Sequence, residues 1–362
     1  MHLKYFSTDQ YANMIKKVRD YSHYHKIPLP QLKFKGTVKL HGTNSSIYNQ
    51  WENQQLICQS RNEIITTEKD NAGFANFVAQ KEGFVVDLFS QIKKNIQPIK
   101  NIDSKNQYIV IYGEWCGGSI QKKVAIAQLE KMYVIFGMKI VGMNQEKEIE
   151  KEVWLTEKQM SHVFENMKES LNQNKIYNIY DFPTWEINID MNQPQLVQND
   201  LIEITKAVEE CCPVAKQFGV EGTGEGVVWK CVSYDMNLPI MDLTFKVKGE
   251  KHSVTKTKKL VEVDLEKVKS IQEFVEMVVT DNRLEQGLDY LKEQHLELDI
   301  KNMGVFLKWI GNDCLKEESE RMKISNLERK EIMPAIANKA KDWFLKKYYE
   351  HTNISIAPKI KF

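Results

Sequence analysis

Net charge is nearly absent from this 362-residue chain: 50 lysines and arginines face 49 aspartates and glutamates, leaving +1. No overall field therefore holds it on a polyanion or an anionic membrane, and any nucleic-acid contact has to come from local clusters. Long apolar runs are missing too. No uninterrupted stretch of about 18 apolar residues occurs, and the opening MHLKYFSTDQYANMIKK lacks the apolar core of a signal peptide, so a soluble, intracellular protein without membrane contact is expected, the cytoplasm being its compartment. The six cysteines (Cys58, Cys116, Cys211, Cys212, Cys231, Cys314) contain no CxxC pair. Their scatter reads as reduced, partly buried thiols and excludes a disulfide framework or a structural zinc. Internal repeats and low-complexity tracts are absent as well. What remains, 42% hydrophobic and 27% charged residues, is ordinary globular composition, long enough for one large domain and a smaller one.

From Phe34 to Thr67, runs rich in β-branched and aromatic residues (FKGTVKL, SSIYNQW, QLICQS) alternate with turn material and read as strands. Residues 72–94 change period: Phe74, Phe77, Val78, Val85, Leu88, Phe89 and Ile92 recur at helical spacing, interrupted by Gly83. Strands are expected again at QYIVIYGEW, MYVIFGMKIVGM, WEINID, EGVVWK and LTFKVK, with helices over 156–171 and 199–218. After about Gly249 the pattern becomes amphipathic helix almost throughout, including stripes such as Ile271, Phe274, Val275 and Val278. Ser325 with Glu328 has capping-box spacing for a last helix, which Pro334 is expected to kink. The expected fold class is α+β: a body of antiparallel sheets with flanking helices over 1–249, then a smaller all-α domain over 250–362.

KLHGTN (39–44) places a lysine, a histidine, a glycine and an asparagine just after a strand. Alone, KLHGTN is weak evidence, and Lys39 reads more readily as a solvated strand-end side chain than as a nucleophile. A nucleophilic lysine needs a neutral amine, which nearby cations and desolvation favour, and an electrophile held in line. A nucleoside triphosphate as electrophile also demands a base platform, a carboxylate for the ribose and cations for the phosphates. Further segments offer such groups in order: SRNEIIT (60–66), YGEWCGGSIQ (112–121), MYVIFGMKI (132–140), EGVVWK (225–230) and FKVK (245–248). Together, over about 39–248, the six segments resemble the motifs of the covalent nucleotidyltransferases: DNA ligases, RNA ligases and mRNA-capping enzymes. His41 in place of an aspartate, Asn44, and Gln121 seven residues beyond Glu114 are similar to the phage RNA ligase 2 branch. Val38 and Gly137 depart from that branch, each standing where an acidic residue is usual.

The resemblance implies that Lys39 attacks the α-phosphate of ATP and carries AMP as a phosphoramidate. Lys246 and Lys248 alternate with Phe245 and Val247, so both amines share one strand face, as a phosphate clamp or as an exposed edge-strand face. Glu114, after the apolar run YIVIY, is expected to hold the ribose hydroxyls, and Glu225, between Gly224 and Gly226, the metal; each also fits an ordinary turn acid. Arg61 and Lys230 are expected at the phosphates. Tyr133, three residues before Phe136, takes the adenine-stacking position or is a core aromatic. Leu40, His41 and Asn44 complete the nucleotide site, His41 and Asn44 ordering the phosphates, the magnesium waters or the RNA end, or His41 being only a packed residue beside the glycine turn; Gln121 and Phe136 are assigned to the RNA end.

ATP would be the adenylate donor and Mg²⁺ (or Mn²⁺) the divalent ion. RNA, as a nicked duplex or broken ends, would be the partner of a monomeric enzyme that forms lysyl-AMP, then AppRNA, then a phosphodiester. Six lysines against one acid in 246–259 form the strongest basic cluster, read as part active site and part RNA contact or as a solvated face. The helical tail, lacking strands, fits a clamp that reads A-form shape. The alternatives are a DNA ligase, a capping-type nucleotidyltransferase, or a non-catalytic nucleic-acid-binding protein of the same fold.

Overall fold

The computed structural model describes residues 1–52, 55–233, 242–255, 261–263 and 268–352. It divides into two compact units, residues 1–8 with 17–247 and residues 9–16 with 248–362. The fold is α+β, with antiparallel-dominated sheets and flanking helices followed by a helical C-terminal region. In chain order the strands are β1 (Asp9–Gln10), β2 (Gln31–Lys39), β3 (Thr43–Gln50), β4 (Leu56–Ser60), β5 (Ile64–Ile65) and β6 (Gln107–Cys116). They continue with β7 (Met132–Met143), β8 (Ile149–Trp154), β9 (Ile176–Asn178), β10 (Thr184–Asp190), β11 (Gly226–Cys231) and β12 (Thr244–Lys248).

In the first unit β12, β11, β2 and β10 lie side by side in that order. The sequence of β2, QLKFKGTVK, alternates strictly, so Leu32, Phe34 and Val38 are buried on one face while Lys33, Lys35 and Lys39 take the other. Trp229 and Phe245 stack on the buried side, and Phe34 meets Phe245 edge-on.

A second sheet in the same unit runs β5-β4-β3-β6-β7-β8, with β9 parallel to β7. One of its faces packs under the helices Phe74–Gln80, Glu82–Asn95 and Glu157–Phe164, joining Phe74, Val85 and Phe89 to Ile111, Trp115 and Tyr133. The opposite face carries Tyr48, Val110 and Tyr112, and the N-terminal residues lie across it. That segment is pinned by side-chain-to-backbone hydrogen bonds. Leu3 N–H donates to Gln59 Oε1 at 2.6 Å, and the Tyr48 and Tyr112 hydroxyls donate to the carbonyls of Met1 and Leu3, each at 2.9 Å.

The second unit packs the helices Ile271–Val278, Asp281–Glu293, Met303–Glu317, Ser319–Ser325 and Arg329–Thr352 around Phe274, Leu284, Phe306, Ile310, Ile336 and Phe344. Two local expectations change. The interruption in 72–94 falls at Lys81, which leaves helical geometry (φ −119°), whereas Gly83 lies inside the second helix. Ser325 closes one helix instead of capping the next: its hydroxyl accepts from Val268 N–H at 2.9 Å, and Glu331 reaches back to Glu328 N–H at 3.0 Å in the capping role. The last helix continues through Pro334.

Candidate active site

Opposed residues of an antiparallel pair share a face. Lys39 pairs with Gly226, Thr37 with Val228 and Lys35 with Lys230, so β2 and β11 present one polar face. Glu186 of β10 pairs with Lys35 and extends it. Phe245 packs on the other face with Phe34 and Trp229, so by alternation Lys246 stands on the side of Lys39. Lys248 ends the same strand, where the second unit begins.

Lys39 Nζ donates to Glu225 Oε2 at 2.7 Å, and His41 Nδ1 lies 3.3 Å from the same oxygen. Glu225 is 2% exposed, so a buried carboxylate holds the amine and the imidazole together. Gly42 N–H donates to Glu114 Oε1 at 2.9 Å. Burial, then the nearby Glu225 carboxylate, raises the Glu114 carboxyl to about 7, against the pull of Lys39, the Gly42 N–H and His41. Gly42 is required sterically: a Cβ there would lie 2.3 Å from the Trp115 carbonyl oxygen.

The edges of the second sheet bring further expected residues to the same level. Asn44 pairs with Glu114, and Ser45 with Ser60, so exposed Arg61, one residue beyond β4, stands beside Asn44. Leu40 is buried, and Gln121, in the loop after β6, is 9% exposed. Among the flanking glycines of Glu225, Gly224 serves packing: a Cβ would lie 2.5 Å from the Val208 carbonyl oxygen of the helix Gln198–Glu210.

The structure places two of the expected residues away from Lys39. Tyr133, expected to stack on adenine, points into the helix-covered core. It is 1% exposed, donates its hydroxyl to Ser45 O and Ile111 O at 3.2 and 3.0 Å, and packs on Phe74 at 4.9 Å. Three residues on, across the strand's alternation, Phe136 faces the other way and lines a cavity of about 270 Å³ with Tyr5, Phe6, Trp154 and Lys230. Lys230, expected at the phosphates, is in this cavity: it donates to the Phe136 carbonyl at 2.5 Å and lies 5.8 Å from the Tyr5 ring centroid. Desolvation lowers its ammonium to about 8. Level with Lys35, it stands four residues along the face from Lys39, about 13 Å away.

Sequence reasoning missed Tyr5 and Lys35. Tyr5 has no motif around it, and its place follows from the pinned N-terminal segment. Lys35, ion-paired with Glu157, was visible in the alternation of β2. Lys256, Lys258 and Lys259 of the basic cluster lie outside the described residues.

Two mutants of the Naegleria gruberi RNA ligase, one with ATP and Mn and one with AMP and Mn, are similar at 15% identity and a TM-score of 0.41; the chain covers 69% of its own length and 57% and 56% of theirs. The same ligase with PPi is similar at 14% identity and the same TM-score. The chain thus spans little more than half of these proteins. No curated protein matches it. The RNA ligase family model matches residues 33–248, a segment that contains every motif from β2 to β12 and more than half of the sequence, and the chain belongs to the RNA ligase family.

Proposed function

We propose that this chain is an ATP-dependent RNA ligase that joins a 3′-hydroxyl to a 5′-phosphate at nicks in duplex RNA, as in the phage RNA ligase 2 branch. The observation that carries this reading is the primary amine of Lys39, held 2.7 Å from the buried Glu225 carboxylate on a face that also carries Lys35 and Lys230. An amine that attacks phosphorus must give up a proton, and Glu225 Oε2 is within transfer distance. The N–P bond forms as the bond to the β-phosphate breaks, and pyrophosphate leaves. A 5′-phosphate oxygen of RNA then displaces the amine to give AppRNA, and the 3′-hydroxyl displaces AMP.

Lys246 and Lys248 carry charge for the phosphates, with Arg61 at the rim, while His41 and Asn44 order the groups around Glu225. Glu114 takes the ribose, and its lone pairs not used by Gly42 are its means of doing so. The base takes the cavity at Phe136, which lies about a nucleotide's length from Lys39 on one face; Lys230 there reads a base edge. Among the described residues no group of three or more His, Cys, Asp and Glu side chains is placed to hold a metal ion. That suits Mg²⁺ or Mn²⁺ arriving with ATP, since such ions take one or two carboxylates plus substrate phosphates, and Glu225 with Glu114 are the carboxylates. The ion would neutralise charge on the phosphates. Residues 1–249 serve as the adenylyltransferase and 250–362 as a helical clamp on duplex RNA.

Incubation with α-labelled ATP and magnesium, then denaturing electrophoresis and peptide mass spectrometry, should find AMP on Lys39 and none on Lys39→Ala. Label from GTP instead, or label on another residue, would remove the reading.

A further inference from the structure

The loop joining β6 to β7 carries a pair of lysines that the adenylylation site does not use. Residues 116–129, CGGSIQKKVAIAQL, contain no acid. Lys122 and Lys123 are both exposed, and among the described residues neither makes an ion pair or a hydrogen bond. Several other lysines on this unit behave otherwise: Lys33, Lys35, Lys69, Lys139 and Lys175 each meet a carboxylate.

The pair is presented by a folded support. Gln121 precedes it and Val124, Ala125 and Ile126 follow it, all buried. Gly118 N–H donates to Leu129 O at 2.7 Å and Ser119 N–H to Ala127 O at 3.0 Å, closing the base of the loop. Ser119 (φ 60°) and Lys123 (φ 67°) are held in the left-handed region, which persists in such residues only where the surroundings enforce it.

Both ends of the support join the catalytic segments. The loop leaves β6 two residues after Glu114, at Cys116, whose Cβ would touch a side chain on Gly42 at 2.7 Å. At its far end Ala125 N–H donates to Thr223 O at 2.8 Å, two residues before Glu225. Two cations without an ion pair among the described residues therefore stand on a loop tied at both ends to the segments bearing the two carboxylates.

We propose that Lys122 and Lys123 bind the sugar–phosphate backbone of the RNA next to the end being joined, a partner surface used after the enzyme has been adenylylated. The inference rests on the RNA ligase reading above and adds the place where the RNA strand is gripped. Two exposed ammonium groups with no carboxylate between them suit adjacent phosphates, which they contact without reading sequence.

The test compares the full chain with its Lys122→Ser/Lys123→Ser and Lys122→Arg/Lys123→Arg variants. Three quantities are read: binding to a 5′-phosphorylated nicked RNA duplex across a salt series, AMP attachment from labelled ATP, and sealing of a nick that already carries the 5′-adenylate. The serine variant should attach AMP at the parent rate. Its log–log salt slope should be shallower by about 1.5, and its sealing at limiting RNA slower by roughly tenfold. The arginine variant should keep the parent slope. An unchanged slope in the serine variant overturns the proposal, and so does a loss of AMP attachment that matches the loss of sealing, which would mark the loop as a support of the nucleotide site. Should the parent attach no AMP, the ligase reading fails while the binding slopes still decide the role of the two lysines.

Discussion

Glu114 is a half-buried acid beside a second buried acid, and its titration is the most direct handle on the site. A carboxyl raised from 4.5 to about 7 by burial and by Glu225 binds more protons in the folded chain than in the unfolded one across that interval. Its contribution to stability therefore falls as pH rises from 4.5 to 7 and stays low above it. At about 1.4 kcal/mol per pH unit the full effect is at most about 3 kcal/mol. Glu114→Gln removes the titration and still accepts from Gly42 N–H. Urea unfolding should find the variant more stable than the parent at pH 8 by about 1–3 kcal/mol, with most of that gap gone at pH 4.5. A gap that does not move with pH would mean that the carboxyl is not held up by its surroundings.

The strand β2 carries Lys39 on one face because its other face is fixed by aromatic packing. Gly36 pairs with Trp229, and a Cβ at Gly36 would lie 2.9 Å from that ring, which is fully buried and stacked on Phe245. Gly36→Ala should destabilise the chain by about 1–3 kcal/mol through overpacking and shift β2 against β11, slowing AMP attachment at Lys39. Adding Trp229→Phe, which vacates that space, should restore part of both in melting and adenylylation assays; an uncompensated double variant would place the strain elsewhere. Elements of this kind were legible in the sequence because strict alternation, as in QLKFKGTVK, states which face is buried. The same rule, applied to β7, separates Tyr133 from Phe136: an odd spacing of three puts them on opposite faces, which motif order alone does not reveal. The pairing of Lys39 with Glu225 depends on a register between segments 186 residues apart, which no local pattern encodes. Helix ends were less legible still, because Ser325 serves a tertiary bond to Val268 in place of the cap its spacing suggests.

At the scale of the whole molecule the chain divides into two compact units, and the second is built around buried charge. Arg283, fully buried, donates from Nε to Asp313 at 2.9 Å and from Nη1 to the Val278 carbonyl at 2.6 Å, with Glu317 and Glu318 at 3.5 and 3.8 Å from Nη2. Glu318 in turn meets Arg321 and accepts from the Thr255 hydroxyl at 2.6 Å, while Arg321 reaches Glu262 at 2.6 Å. Removing one member of such a cluster leaves its partners buried without compensation, a loss of about 3–5 kcal/mol. Every residue read here as touching the nucleotide, apart from Lys248, belongs to the first unit. Arg283→Met should therefore lower one calorimetric transition by several degrees and leave a second near the parent's temperature. Below the lowered transition, AMP attachment to Lys39 should proceed at the parent rate while nick sealing falls, because the unit proposed as the clamp, and not the one proposed to hold the nucleotide, has been loosened. A single transition that moves as a whole would instead mean that the two units melt as one, and that the strand bearing Lys39 draws its stability from both.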